Sequence, residues 1–113
     1  MLDIHQVDEI NVVSLKEGDR LNAPIAEAIR EELTELFSQP KTNVIFKLEG
    51  IAFIDSTGFS VFLSALKAAN NNYGQFKICN VSPELMQLFN LLQLHNVFEI
   101  YDELQACLDS FNC

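Results

Sequence analysis

Positive charge is scarce in this chain: 7 Lys and Arg stand against 16 Asp and Glu, a formal net charge of −9 over 113 residues. Non-specific nucleic-acid binding depends on Lys and Arg neutralising phosphates, so that class is excluded, and docking on anionic lipid is disfavoured. No run approaches the roughly 20 apolar residues needed to cross a bilayer. Met1-Leu2-Asp3-Ile4-His5 has neither a basic start nor an apolar signal region, which speaks against export. Cysteine is sparse, with Cys79, Cys107 and Cys113 forming an odd set that lacks Cys-x-x-Cys or Cys/His ligand spacing. Neither a disulfide framework nor a metal centre is expected from it, and reduced thiols in the cytosol are. Cys79 falls in an apolar strand-like run and reads as core; Cys113, the last residue, reads as exposed. No Gly-rich phosphate loop follows a strand and no Gly-x-Ser-x-Gly elbow is present, so nothing points to a cofactor.

Apolar residues make up 49% of the chain and include nine Phe, enough for a packed core and too many for a disordered acidic tail. The length fits one cytoplasmic globular domain spanning residues 1–113.

Periodicity orders the elements. Leu2-Asp3-Ile4-His5-Gln6-Val7 alternates apolar and polar residues, and Glu9–Leu15 continues in that style after a turn at Asp8-Glu9, predicting an antiparallel hairpin. Asn22 is an N-cap residue and Pro24 falls in the following first turn. Ile25, Ile29, Leu33, Leu36 and Phe37 then mark one helix face, and Pro40 stops the run. Val44-Ile45-Phe46-Lys47-Leu48 reads as a central strand. A second helix follows Asp55, with Phe59, Phe62, Leu63 and Leu66 at helical spacing, and it ends in Asn70–Gly74. Phe76–Val81 is a further strand, Ser82-Pro83-Glu84 opens a third helix, and Val97–Ile100 gives a last strand. Asp102 is expected to cap a terminal helix with Leu104, Leu108 and Phe111 inward. Strands alternating with helices make the fold class α/β, a mixed, mostly parallel sheet with an N-terminal antiparallel hairpin and about four helices.

One segment gathers chemistry. Asp55-Ser56-Thr57-Gly58 places a carboxylate and two hydroxyls at a helix N-terminus, where backbone N–H groups and the helix dipole stabilise anions, a phosphate on Ser56 or Thr57 included. Gly58 would leave the first turn uncovered for another protein to approach. The plainer reading of the same residues is an ordinary helix cap.

Ile54-Asp55-Ser56-Thr57-Gly58-Phe59, preceded by Val44–Leu48 and Ile51-Ala52-Phe53, resembles the signature of STAS domains, and more narrowly of single-domain bacterial anti-sigma factor antagonists. The likeness extends through Leu21-Asn22-Ala23-Pro24, Gly74–Pro83, Leu88-Phe89, and Leu94 with Val97-Phe98. It implies a protein that is not an enzyme but a binding switch. Unphosphorylated antagonists of this kind bind an anti-sigma factor that often has serine kinase activity; phosphorylation of the serine after the Asp breaks the complex and a serine phosphatase restores it. The matching residue here is Ser56, with Thr57 as the alternative acceptor, and the partner-binding set is Arg20, Asn22, Asp55, Ser56, Thr57 and Gly58. The chain departs from the family's usual Gly-x-Leu-Asp before the first helix, reading Asp19-Arg20-Leu21-Asn22. Phe59 stands where Leu is usual, and its spacing turns it inward.

Other readings fare worse. A hydrolase lacks a base near Ser56: His5 and His95 are the imidazoles available, and His95 lies in the loop-like Gln93–Asn96. Glu31-Glu32 and Asp102-Glu103 are neighbours whose side chains do not converge on a metal. An acyl carrier protein would share the acidity and an Asp-Ser pair, but its helical bundle is opposed by the strand runs. The runner-up keeps the fold: a STAS subunit of a transporter or stressosome-like complex without sigma-factor control. No nucleic acid or membrane insertion is expected, and the state is a monomer or weak dimer.

Overall fold

Strands β1 (Leu2–Val7) and β2 (Ile10–Leu15) pair antiparallel in unbroken register from Leu2↔Leu15 to Val7↔Ile10. The turn between them is the pair Asp8 and Glu9, both at positive φ (51° and 69°), the backbone twist a two-residue hairpin loop requires. In the computed structural model, which describes residues 1–111, the chain continues through β3 (Arg20–Leu21), α1 (Ala23–Leu36), β4 (Asn43–Lys47) and β5 (Phe53–Ile54). It then forms α2 (Ser56–Asn71), β6 (Gln75–Cys79), α3 (Pro83–Leu91), a 3-10 turn at Leu94–Asn96, β7 (Glu99–Tyr101) and α4 (Leu104–Ser110). Five strands form one sheet in the order β1-β2-β4-β6-β7, and every neighbour after the hairpin is parallel. The class is the one the periodicity predicts, a mixed, mostly parallel α/β sheet behind an antiparallel hairpin.

Strand alternation divides the sheet into two unlike faces. Val13, Val44, Phe46, Phe76 and Ile78 join the main core with Ile29 and Leu33 of α1, Phe59 and Phe62 of α2, and Phe89 of α3. Phe62 meets Phe46 edge-on with ring centroids 5.2 Å apart, and Phe59 meets Phe89 in the same way at 5.2 Å. Such edge-to-face pairs add roughly 0.5–1.5 kcal/mol each beyond the area they bury. Phe59 is thus an inward residue, as its spacing predicts. The opposite face is thinner: Ile10, Val12, Ile45 and Cys79 lie under Cys107 and Leu108 of α4, with Leu104 and Phe111 packed alongside. Lys77 is buried there, its ammonium donating to Ser110 Oγ at 2.8 Å and lying 4.2 Å from the Phe111 ring centroid.

Several element bounds change, β4 at Asn43–Lys47 among them, and one ribbon is added. The terminal helix is capped at Glu103 and not Asp102: Glu103 holds the extended cap conformation, and its carbonyl accepts from Cys107 N–H. The last strand begins at Glu99 because the 3-10 turn before it draws the N–H groups of Val97 and Phe98 onto the Leu94 carbonyl. β6 stops at Cys79, where Asn80 turns at φ 59°. β3 and β5, two residues each, form a separate parallel ribbon that alternation over so short a span does not announce. Cys113 lies outside the described residues.

Candidate functional site

The ribbon brings two helix starts together. The carbonyl of Asp19 accepts from Ala52 N–H at 2.8 Å and Phe53 N–H at 3.3 Å, and that of Leu21 accepts from Asp55 N–H at 3.2 Å. Arg20 stands opposite Phe53, and Leu21 opposite Ile54. Leu21 and Ile54 are both buried in the main core and anchor the ribbon. Immediately beyond it, α1 begins after Asn22 and α2 after Asp55. The arrangement places Arg20, Asn22 and the Asp55–Gly58 turn, which are more than thirty residues apart in sequence, on one small surface.

Asp55 joins the two starts. Its Oδ1 accepts from Gly58 N–H at 2.9 Å and from the Thr57 hydroxyl at 2.5 Å, which is ordinary N-capping of its own helix. Its Oδ2 accepts from Ala23 N–H at 3.0 Å, which caps the other helix. The Thr57 hydroxyl first, then the N–H groups of Gly58, Ala23 and Thr57, hold the Asp55 carboxyl below its ordinary value of 3.8. Asn22 occupies the cap position of α1 in extended backbone, but its side chain makes no cap bond. The expected Asn22 cap is replaced by a carboxylate from across the ribbon.

The remaining site residues divide by what holds them. The Ser56 hydroxyl is exposed at the first position of α2 and makes no hydrogen bond among the described residues. Thr57 is exposed as well, but its hydroxyl is committed to Asp55. Gly58 is buried, not open to an approaching protein. A Cβ there would lie 2.3 Å from the Leu21 carbonyl oxygen and 2.8 Å from Ile54 Cγ2. Glycine is required because the ribbon lies directly against the first turn of α2. Arg20 is exposed, its guanidinium 5.4 Å from the Phe53 ring centroid and 4.0 Å from the Asp19 carboxylate.

Sequence reasoning missed two contributors. Phe53 is 43% exposed beneath Arg20, an apolar ring at the surface next to the turn. Its partner in the two-residue strand, Ile54, is buried, so the parity of that pair carried the signal. Arg30 of α1 donates to Ser60 Oγ at 2.9 Å, and Ser60 donates to the Thr57 carbonyl at 2.6 Å, a second tie between the two helices. His95 sits exposed in the 3-10 turn, and no group of three or more His, Cys, Asp or Glu among the described residues is placed to hold a metal. A surface hollow of about 570 Å³ is lined by Leu15, Lys16, Glu17, Gly18, Ile25 and Ile29 with Met1, and none of the expected site residues lines it. What the Asp55–Gly58 surface offers is a free hydroxyl at a helix N-terminus whose backbone favours an anion.

Comparison with known proteins falls in line with this geometry. The family described as the STAS domain matches residues 1–107. The anti-sigma-B factor antagonist of Staphylococcus aureus (strain NCTC 8325 / PS 47) is 26% identical over 99 residues, covering 88% of this chain and 92% of that protein. Among solved structures, an anti-sigma-factor antagonist (STAS) domain protein from Planctomyces limnophilus superposes with a TM-score of 0.86 at 19% identity, covering 99% of this chain and 98% of that one. The Bacillus cell fate determinant SpoIIAA in its phosphorylated form superposes at 0.73 with 20% identity, over 98% of this chain and 99% of that one. At those identities the structural likeness speaks to the fold.

Proposed function

This chain belongs to the STAS domain family, and from that premise we propose that it is an anti-sigma factor antagonist whose hold on its partner is switched at Ser56. The observation that carries the reading is the inequality of the two hydroxyls: Ser56 is exposed and unbonded, whereas the Thr57 hydroxyl is held by Asp55. Modifying Ser56 removes no hydrogen bond of the fold, whereas modifying Thr57 would break its bond to the Asp55 carboxylate. The curated relative named above is an anti-sigma-B factor antagonist, which supports the partner class.

On this reading the unphosphorylated protein binds an anti-sigma factor that is also a serine kinase, through the surface formed by Arg20, Asn22, Asp55, Ser56 and Thr57 with Phe53. Gly58 serves that surface from beneath by letting the ribbon close on α2. Phosphate on Ser56 adds about −1.5 to −2 charges beside the Asp55 carboxylate at a surface that must lose water to bind. The helix N-terminus tolerates the new charge, so the fold persists while binding falls. A serine phosphatase resets the switch. The protein acts in the cytoplasm as a substrate of both enzymes and catalyses nothing itself.

The test pairs two variants with mass spectrometry. Protein isolated from its native cell should carry a partial gain of about 80 Da on the peptide containing Ser56. Ser56→Ala should capture the anti-sigma factor constitutively, and Ser56→Asp should bind it about 10- to 100-fold more weakly. Equal capture by both variants would overturn the switch. No modification under any growth condition would favour a constitutive STAS subunit of a transporter or stressosome-like complex.

A further inference from the structure

The outer edge of β1 is long, regular and unpaired. β1 ends the strand order, and its six residues pair with β2 without a bulge. It contains neither Lys nor Pro, the residues that commonly blunt an edge strand. In an antiparallel ladder, residues bond alternately toward one neighbour and the other. Lys16 N–H donates to the Met1 carbonyl at 2.9 Å, which puts Met1, Asp3, His5 and Val7 in the set bonded to β2. The backbone groups of Leu2, Ile4 and Gln6 therefore face outward.

We propose that β1 pairs antiparallel with β1 of a second copy of this chain, in the register centred on Ile4. Outward groups must meet outward groups, which leaves few symmetric registers. Centring on Ile4 sets Ile4 opposite Ile4 of the second copy and Leu2 opposite Gln6, each a hydrogen-bonded pair. It also sets Asp3 opposite His5, twice by symmetry, as the closer non-bonded pairs whose side chains meet best. Centring on Asp3 would oppose two carboxylates, and centring on His5 two imidazoles, and neither sets a carboxylate against an imidazole. Asp3 and His5 are exposed, and neither has a hydrogen bond or ion pair within the chain among the described residues. Ile4 is 39% exposed and would be covered at the two-fold axis. The acidic turn at Asp8 and Glu9 extends past the paired residues, so its charge does not oppose the ladder.

The product is one continuous sheet built from two five-stranded sheets. A single added strand pair buries little area, so the dimer is weak and concentration-dependent. Because the two copies run in opposite directions, the two Ser56 surfaces lie at opposite ends of the joined sheet and both stay open. The dimer contact and the proposed switch are therefore separable, and a failure of either leaves the other standing.

Sedimentation equilibrium of the full chain from micromolar to millimolar concentration should show the mass rising from one copy to two. Asp3→Lys should weaken association by removing the carboxylate acceptor that faces the His5 imidazole, and His5→Asp should weaken it about tenfold by opposing two carboxylates at each of two symmetric contacts. The double variant re-creates opposite charges and should return to near the wild-type value. Ile4→Pro removes the central outward N–H without touching a bond to β2 and should abolish the dimer. In hydrogen exchange, the amides of Leu2, Ile4 and Gln6 should gain protection with concentration, while those of Asp3, His5 and Val7 should not change. A monomer at millimolar concentration overturns the proposal. So does a dimer indifferent to the single substitutions, a double variant that fails to recover, or protection falling on the other set of amides.

Discussion

The starts of α2 and α3 share a four-residue frame, and the contrast between them separates a cap from a site. Asp55-Ser56-Thr57-Gly58 and Ser82-Pro83-Glu84-Leu85 each begin with an extended cap residue whose side-chain oxygen accepts from the N–H three residues on, at 2.9 Å and 3.2 Å. At α3 the frame is self-contained. Pro83 has no N–H to satisfy, Glu84 complements the helix dipole, and Leu85 enters the core. At α2 three of the four positions also serve something beyond their own helix. The Asp55 carboxylate also caps α1, the Ser56 hydroxyl is spare, and Gly58 gives up its side chain so that the ribbon can lie close. Capping residues alone do not distinguish the two; their commitments to the rest of the molecule do.

Substituting the third helical residue breaks the comparison hardest. Gly58→Ala would gain up to about 1 kcal/mol of helix propensity in open solvent. Here its Cβ would sit 2.3 Å from a backbone oxygen, so β3 must retreat by about 1 Å and strain its bond from Asp55 N–H. The loss in urea denaturation should reach the upper end of the roughly 1–3 kcal/mol that overpacking costs, the opposite sign to propensity. A neutral or stabilising result would mean the ribbon yields easily and the close approach is not a constraint.

Removing the caps comes next. Asp55→Ala should lower the melting temperature more than Ser82→Ala, because it removes the acceptor of N–H groups at two helices instead of one. The extra loss should track pH. Asp55 titrates lower in the folded chain than its ordinary value of 3.8, so its contribution is complete above that value and fades as pH falls through the folded one. The gap in melting temperature between wild type and Asp55→Asn should therefore be widest near neutrality and shrink in acid below about pH 4. A gap independent of pH would show that Asp55 titrates alike in the folded and unfolded chain, so that its charge adds nothing to either cap. Ser82→Ala should cost about 1 kcal/mol, as a single lost cap does, and leave partner capture unchanged.

The order of helices and sheet strands was legible because each is long enough to show its period, as Ile25-Ile29-Leu33 and the Val44–Phe46 run do. The caps at Asp55 and Ser82 were legible too, since each serves the helix that follows it. What sequence could not announce were contacts between segments. The bond from Ala23 to Asp55 spans 32 positions, and the Asn22 side chain makes no cap bond because Pro24 has no N–H and that of Ile25 goes to the Asn22 carbonyl. β3 and β5 are two residues each, below any period, yet their pairing puts Arg20 over Phe53 and explains Gly58. Asp102 is the better cap by its side chain, but α4 begins at Leu104 with Glu103 in the extended cap position and no side-chain cap bond, so residue type pointed one position too early.

The smallest effect on the fold should come from Ser56→Asp, and that smallness is what a switch requires. No hydrogen bond of the described chain is lost with the hydroxyl, so the change reduces to adding one negative charge at a helix start. The dipole favours it by roughly 0.3–1 kcal/mol while the neighbouring Asp55 carboxylate opposes it, and the two should nearly cancel. At α3, Glu84 already carries such a charge in the first turn. The melting temperature of Ser56→Asp should stay within about 3 °C of wild type, less than the shift from Ser82→Ala. With the fold indifferent, any loss of partner capture by this variant must arise at the contact surface itself, from charge, bulk and retained water. If Ser56→Asp instead destabilises the chain as much as a lost cap does, the hydroxyl is structural, the two helix starts are alike after all, and the reading of Ser56 as a free acceptor falls.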